Sequence, residues 1–171
     1  MKKILMVIAQ QNFRDEEYEV PKEIFEKAGF EVKTVAERRG EAIGKLGARA
    51  WVDFPFAEAN IHNFDAVVFV GGPGAADYFN DNEAQNLARE AVQENKLLAA
   101  ICIAPSILAN AGLLQNRRVT AFPSEKENLE AKGANYTANR VEVDGNLITA
   151  NGPEAAGEFG EKIVAALSSS G

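Results

Sequence analysis

Short, apolar, β-rich runs alternate with segments of helical periodicity from one end of this chain to the other, and no other feature constrains its fold as strongly. Such alternation builds strand-helix-strand units, in which strands pair in parallel and helices cover the sheet. "KILMVIA" (3–9) is the first expected strand. Val20, Ile24, Phe25 and Ala28 then recur at helical spacing over 17–28, with Pro21 tolerable in a first turn and Gly29 placed to end the helix. "FEVKTVA" (30–36) alternates as a second strand, and "DAVVFV" (65–70) and "KLLAAI" (96–101) follow as strongly apolar ones. Helices are expected near 82–95, over "APSILANAGLL" (104–114, closed by Gly112) and over 153–167, and further strands near 117–121, 140–143 and 147–150. Residues 37–64, with Gly40, Gly44 and Gly47, read as a hairpin-and-loop excursion.

With 171 residues and 46% of them apolar, the chain has enough material for one core without a disulfide or metal staple. One domain over 1–167 is expected, with "SSSG" (168–171) as a frayed tail. The one cysteine, Cys102, and the one histidine, His62, are too few for a Cys/His zinc site, so neither metal nor cofactor is expected. The apolar run at the start is too short for a secretory signal, and none approaches the ~20 residues of a membrane span. The expectation is a soluble, cytoplasmic protein, in which the acceptor pattern "NYT" at Asn135 is chance. A net charge of −7 opposes the counterion-release attraction that drives nucleic-acid binding, and the pair Arg117 and Arg118 is too small a patch to reverse it.

Cys102 lies between an apolar strand and a clear helix, with Ala100 and Ala104 two residues to either side. Small residues at those positions mark the sharp strand-to-helix turn that presents a nucleophile at the carboxyl edge of a sheet, where helix-start amides would lower a thiol pKa. The bland reading is a small buried hydrophobe, and spacing alone does not choose. "GGPGAAD" (71–77) follows another strand but lacks the Gly-Lys-Ser/Thr ending of a phosphate loop and the third glycine of a dinucleotide fingerprint. Gly71 and Gly72 serve either close backbone approach, with an amide aimed at an oxyanion, or a tight turn before a helix capped by Asp77 or Asn80. "RDEEYEVP" holds four acidic residues before Pro21; such a run is ordinarily a solvated helix start, although one carboxylate could face Cys102 over the sheet edge. His62 falls at the amino end of a strand, on the edge opposite Cys102, and reads as a surface loop residue.

The ordered segments "RDEEYEVP", "FDAVVFVGGPGA", "AAICIAPSILANAGLL" and "NRVEVDGNLITANGP" together resemble the ThiJ/PfpI superfamily, which includes the PfpI-type intracellular peptidases and the parkinsonism-associated protein deglycase. The resemblance runs from about Lys3 to Leu167. It implies a flavodoxin-like α/β sandwich of three layers, commonly dimeric, with Cys102 as nucleophile and Glu17, four residues before Pro21, hydrogen-bonded to its sulfur. Gly72 and Ile103 would supply oxyanion-hole amides, and Gly71, Phe122 and Arg49 are candidates to line the site. Two departures stand out: peptidase-like members carry histidine where this chain has Ile103, and deglycase-like members carry one just before a proline where "TAFPSEK" has Phe122.

Two functional classes follow from that resemblance. One is a cysteine-dependent enzyme of glyoxalase or deglycase type, acting without a cofactor on a small reactive dicarbonyl or its protein adducts. The other is a redox-sensing or chaperone-like protein whose Cys102 oxidises to a sulfinate. A cysteine peptidase or amidase is a third reading, weakened by Ile103. No nucleic-acid or membrane partner is expected; assembly into a homodimer or higher homo-oligomer is.

Overall fold

The runs "KILMV", "AVVF", "LLAAI" and "LITA" offer no polar face to water, and they become neighbouring strands buried on both sides by helices. In the computed structural model, which describes residues 1–169, the elements are β1 (Lys3–Val7), β2 (Gln11–Phe13), α1 (Asp15–Lys27), β3 (Glu31–Ala36), β4 (Gly40–Gly44), β5 (Arg49–Val52), β6 (Phe54–Pro55), β7 (Ala66–Phe69), α2 (Asn82–Gln93), β8 (Leu97–Ile101), α3 (Pro105–Asn110), β9 (Arg118–Val119), α4 (Lys126–Ala131), β10 (Asn135–Tyr136), β11 (Val141–Asp144), β12 (Leu147–Ala150) and α5 (Ala156–Ser169). The main sheet has the order β11-β12-β8-β7-β1-β3-β6 and is parallel except for the β11–β12 pair.

This order fixes where a site can form. From β1 the chain crosses to β3 on one side, whereas from β7 it crosses to β8 and then β12 on the other. Right-handed crossovers in opposite directions put their helices on opposite faces, so α1 packs with α5 and α2 with α3. Between β1 and β7 the order reverses, and the carboxyl ends of the strands there open into a crevice. Phe25, Phe69 and Phe159, all without solvent exposure, are among the largest side chains of the core.

Several local expectations are corrected. Helix α1 starts at Asp15, so Pro21 falls in its interior rather than its first turn. Its buried stripe is Asp15, Glu17, Tyr18, Pro21 and Phe25, while Val20 is exposed; two carboxylates thus occupy a face that apolar spacing had assigned elsewhere. Helix α2 is capped by Asp81, whose Oδ2 accepts the Ala84 amide at 2.9 Å, and neither Asp77 nor Asn80 has that role. Helix α3 stops at Asn110, short of the expected Leu114. Helix α5 continues through Ser168 and Ser169, because the apolar side of its last turns, including Leu167, stays buried; residues 170–171 of the expected frayed tail lie outside the described residues. The 37–64 excursion contains the antiparallel β4–β5 hairpin, and β4 also pairs in parallel with β2 through Phe13 and Gly44. Among the described residues no helix is long and apolar enough to cross a membrane.

Candidate active site

Strand β8 ends at Ile101, and the next residue turns sharply. Cys102 has φ +65°, a left-handed conformation that costs an L-residue roughly 1–2 kcal/mol. Hydrogen bonds hold it there: its N–H donates to the Ala150 carbonyl at 2.9 Å, and its own carbonyl accepts the Phe122 N–H at 2.8 Å. Ala100 and Ala104 are fully buried to either side, where larger side chains would press on the turn. Cys102 is buried, with 8% of its surface exposed, and lines a cavity of about 260 Å³.

Glu17 comes to the thiol from α1, across the end of β7. A Cβ built on Gly71 would stand 2.6 Å from each of Cys102 Cβ, Glu17 Oε1 and the Ile101 carbonyl oxygen, so only glycine leaves room for the pair to meet. Gly72, at φ +100°, lies equally close to the chain before α1: a Cβ there would be 2.3 Å from the Arg14 nitrogen, whose N–H donates to the Gly71 carbonyl at 2.9 Å. The two glycines are therefore the seam between β7 and the chain leading into α1.

The Glu17 side chain is wholly buried, and neither of its oxygens completes a well-formed hydrogen bond. Burial is the main influence on its carboxyl and pushes the pKa up to about 7, against the pull of the adjacent Cys102 sulfhydryl and Gly71 amide. Burial, followed by the Glu17 charge, pushes the Cys102 thiol up to about 12, while the Gly72 and Ile103 amides near the sulfur act the other way. The expectation that helix-start amides would leave this thiol depressed is thus corrected: the amides are in place, but burial and a neighbouring carboxylate outweigh them. Above neutral pH the pair carries one negative charge, on the Glu17 carboxyl.

Arg14, Lys45, Pro73, Ile103, Phe122 and Pro153 shape the rest of the cavity. Arg49 does not reach it; it lies on β5, paired with Glu41 at 3.2 Å, beside a larger cleft of about 410 Å³ that contains Trp51 but no cysteine. His62 is exposed and contacts Glu94, away from the cavity. Residue spacing gave no warning of Lys45, which the β2–β4 pairing brings next to Arg14. Asp15, dissolved in the same acidic run as Glu17, proves to be an anchor: its two oxygens accept the Leu46 amide at 2.9 Å and the Ala48 amide at 2.7 Å, pinning the turn that presents Lys45. Asp15→Ala is expected to cost about 1.5–3 kcal/mol in denaturant unfolding, the usual loss for hydrogen bonds to a buried charge; no change in midpoint would show that the turn holds itself. Among the described residues no group of His, Cys, Asp and Glu is arranged to hold a metal ion.

A strand-ending cysteine in a left-handed turn, with a buried glutamate reaching it over a glycine, can be compared with known proteins. The model of the DJ-1/PfpI family matches residues 2–166. This chain belongs to the DJ-1/PfpI family. A deglycase of Pyrococcus horikoshii is 33% identical over 88% of this chain and 90% of its own. The crystal structure of a ThiJ/PfpI domain protein from Brachyspira murdochii superposes with a TM-score of 0.96, at 39% identity, over 98% of this chain and 96% of the other. Drosophila melanogaster DJ-1beta superposes with a TM-score of 0.87, at 30% identity, over 95% and 88%. The flavodoxin-like α/β fold expected from the sequence is the fold of this family.

Proposed function

We propose that this DJ-1/PfpI-family chain is a cysteine-dependent enzyme of glyoxalase or deglycase type, acting on reactive dicarbonyls or their early protein adducts. The observation that carries this reading is the Glu17 carboxyl: wholly buried, without a well-formed hydrogen bond, beside the thiol, and titrating at about 7. A proton acceptor tuned to working pH is what a shuttle between adjacent carbons requires.

For a 2-oxoaldehyde, Cys102 sulfur bonds to the aldehyde carbon as its proton passes to Glu17, and the carbonyl π pair moves onto oxygen. The Gly72 and Ile103 amides face that developing charge. Protonation of the oxygen gives a hemithioacetal. Glu17 then removes the proton on that carbon and returns one to the neighbouring carbon, leaving a thioester of a 2-hydroxy acid. Water cleaves the thioester and restores the thiol. One dicarbonyl and one water give one hydroxy acid, with no oxidant in the balance and no call on the absent histidines. With methylglyoxal, purified wild type is expected to form lactate, and Cys102→Ala and Glu17→Ala are each expected to reduce turnover at least about 100-fold. A pure wild-type protein that leaves methylglyoxal and its protein adducts untouched would rule the proposal out.

A further inference from the structure

The cavity over Cys102 brings two cations together on an acidic chain, although the Glu16 carboxylate already neutralises one of them, Arg14. The protein carries a net charge of −7, yet two cations, Arg14 and Lys45, line this one space, and the Glu17–Cys102 pair at its floor contributes a single negative charge above neutrality. The topology builds this juxtaposition. Phe13 of β2 pairs with Gly44 of β4, the Lys45 N–H donates to the Phe13 carbonyl at 2.8 Å, and the residues that follow on the two strands are Arg14 and Lys45.

The two cations are not equivalent. Arg14 turns Nε and Nη2 to Glu16, at 3.0 and 2.8 Å, leaving Nη1 without a hydrogen bond among the described residues. Lys45 Nζ has neither an ion pair nor a hydrogen bond among them. Around these cations the walls are mostly apolar, formed by Pro73, Ile103, Phe122 and Pro153, with the hydroxyl-bearing Ser124 among them. Such a space holds a small carbon skeleton against its walls and one anionic group at its rim. One unpaired ammonium matches a singly charged carboxylate, whereas a doubly charged phosphate would also meet the negative pair on the floor.

We infer that the Cys102 cavity selects carbonyl compounds that bear a carboxylate, with Lys45, assisted by Arg14, holding that carboxylate while the sulfur meets the carbonyl carbon. This names a substrate class for the proposed enzyme and rests on Cys102 being its nucleophile. It does not require turnover to be tested.

Iodoacetate and iodoacetamide are near-isosteric alkylating agents that differ by one negative charge. Both consume the same thiolate, so the ratio of their rates at Cys102 cancels thiolate population and accessibility. Rates are measured at low ionic strength by intact mass, each divided by the rate of the same agent with 2-mercaptoethanol. A surface set by the overall charge would repel iodoacetate and give a normalised ratio below one. The cavity described here gives a ratio above one, by about fivefold, which Lys45→Gln lowers most, Arg14→Gln lowers less, and added salt erodes. Lys45 is exposed, so its replacement does not threaten folding. A wild-type ratio at or below one, or a ratio that neither substitution moves, overturns the inference while leaving the methylglyoxal result standing on its own. Alkylation by neither agent in the folded protein overturns both.

Discussion

Glu17→Gln is expected to make the protein more stable at pH 8 while removing the turnover proposed above. In the unfolded chain this carboxyl ionises near its ordinary value of 4.5, and in the folded protein at about 7. Between those values the folded state keeps a proton that the unfolded state has lost, so stability falls as pH rises through this window and stays lower above it. A gap of that size corresponds to about 3 kcal/mol at most, at 1.36 kcal/mol per pKa unit. Gln keeps the shape without the charge, and an amide left without partners returns about 1 kcal/mol of that gain. The net gain of about 2 kcal/mol at pH 8 should raise Tm by roughly 4–8 °C. Chemical denaturation of both proteins from pH 4 to 9 measures it: the difference should grow between 4.5 and 7 and then level off. Curves that run parallel over this range would mean that Glu17 titrates as an ordinary surface carboxyl, and its role as a tuned proton carrier would go with it. The same substitution removes the charge that helps to hold the thiol up. Cys102 of Glu17→Gln should therefore alkylate faster at neutral pH than wild type even as the variant fails to turn over substrate.

The opposition of stability and activity at one side chain explains why parts of this site could be read in the sequence and parts could not. Buried strands were legible because a strand covered on both faces must be apolar throughout, as in "AVVF" and "LLAAI". The turn at Cys102 was legible because crowding demands small neighbours, and Ala100 and Ala104 supply them. Glu17 was not legible from pattern, because its run of acids is the same run that solvates an ordinary helix start; four carboxylates look alike until packing separates buried Glu17 and Asp15 from their neighbours Glu16 and Glu19. Only the resemblance to known proteins singled it out. The apolar spacing of α1 misled for a related reason: Val20 sits at a helical interval from Ile24 and yet is exposed, since the face toward the sheet is given over to the carboxylates, Tyr18 and Phe25. Lys45 was beyond reach, because its place depends on pairing between two short strands about 30 residues apart, and such pairing leaves no periodicity behind. Arg49 failed as a candidate for the converse reason: it is on the same hairpin but on a strand that β4 separates from the cavity.

Gly71→Ala tests the geometry of the site apart from its charges, and its effect on activity should equal that of losing a reacting group. The added methyl would overlap Cys102 Cβ, Glu17 Oε1 and the Ile101 carbonyl, each 2.6 Å away. Two of these belong to the Glu17–Cys102 pair, and the third is the carbonyl that ends β8, which accepts the Ala104 N–H at 3.1 Å and cannot move alone. Glu17 is the side chain free to yield, and its retreat separates the carboxyl from the sulfur. Overpacking of this kind typically costs about 1–3 kcal/mol, and a misplacement of about 1 Å in a reacting group costs on the order of 100-fold in rate. Gly157→Ala is the matched control: a Cβ there meets nothing within 4 Å, and a helix accepts alanine readily, so stability should hold or rise slightly. The decisive comparison combines Gly71→Ala with Glu17→Ala. If the clash acts through Glu17, removing the longer side chain makes room for the methyl, and the double variant should lose less stability than the sum of the single ones. Additive losses, or a Gly71→Ala protein with wild-type turnover, would show that the contact between Glu17 and Cys102 does not depend on the missing side chain at position 71.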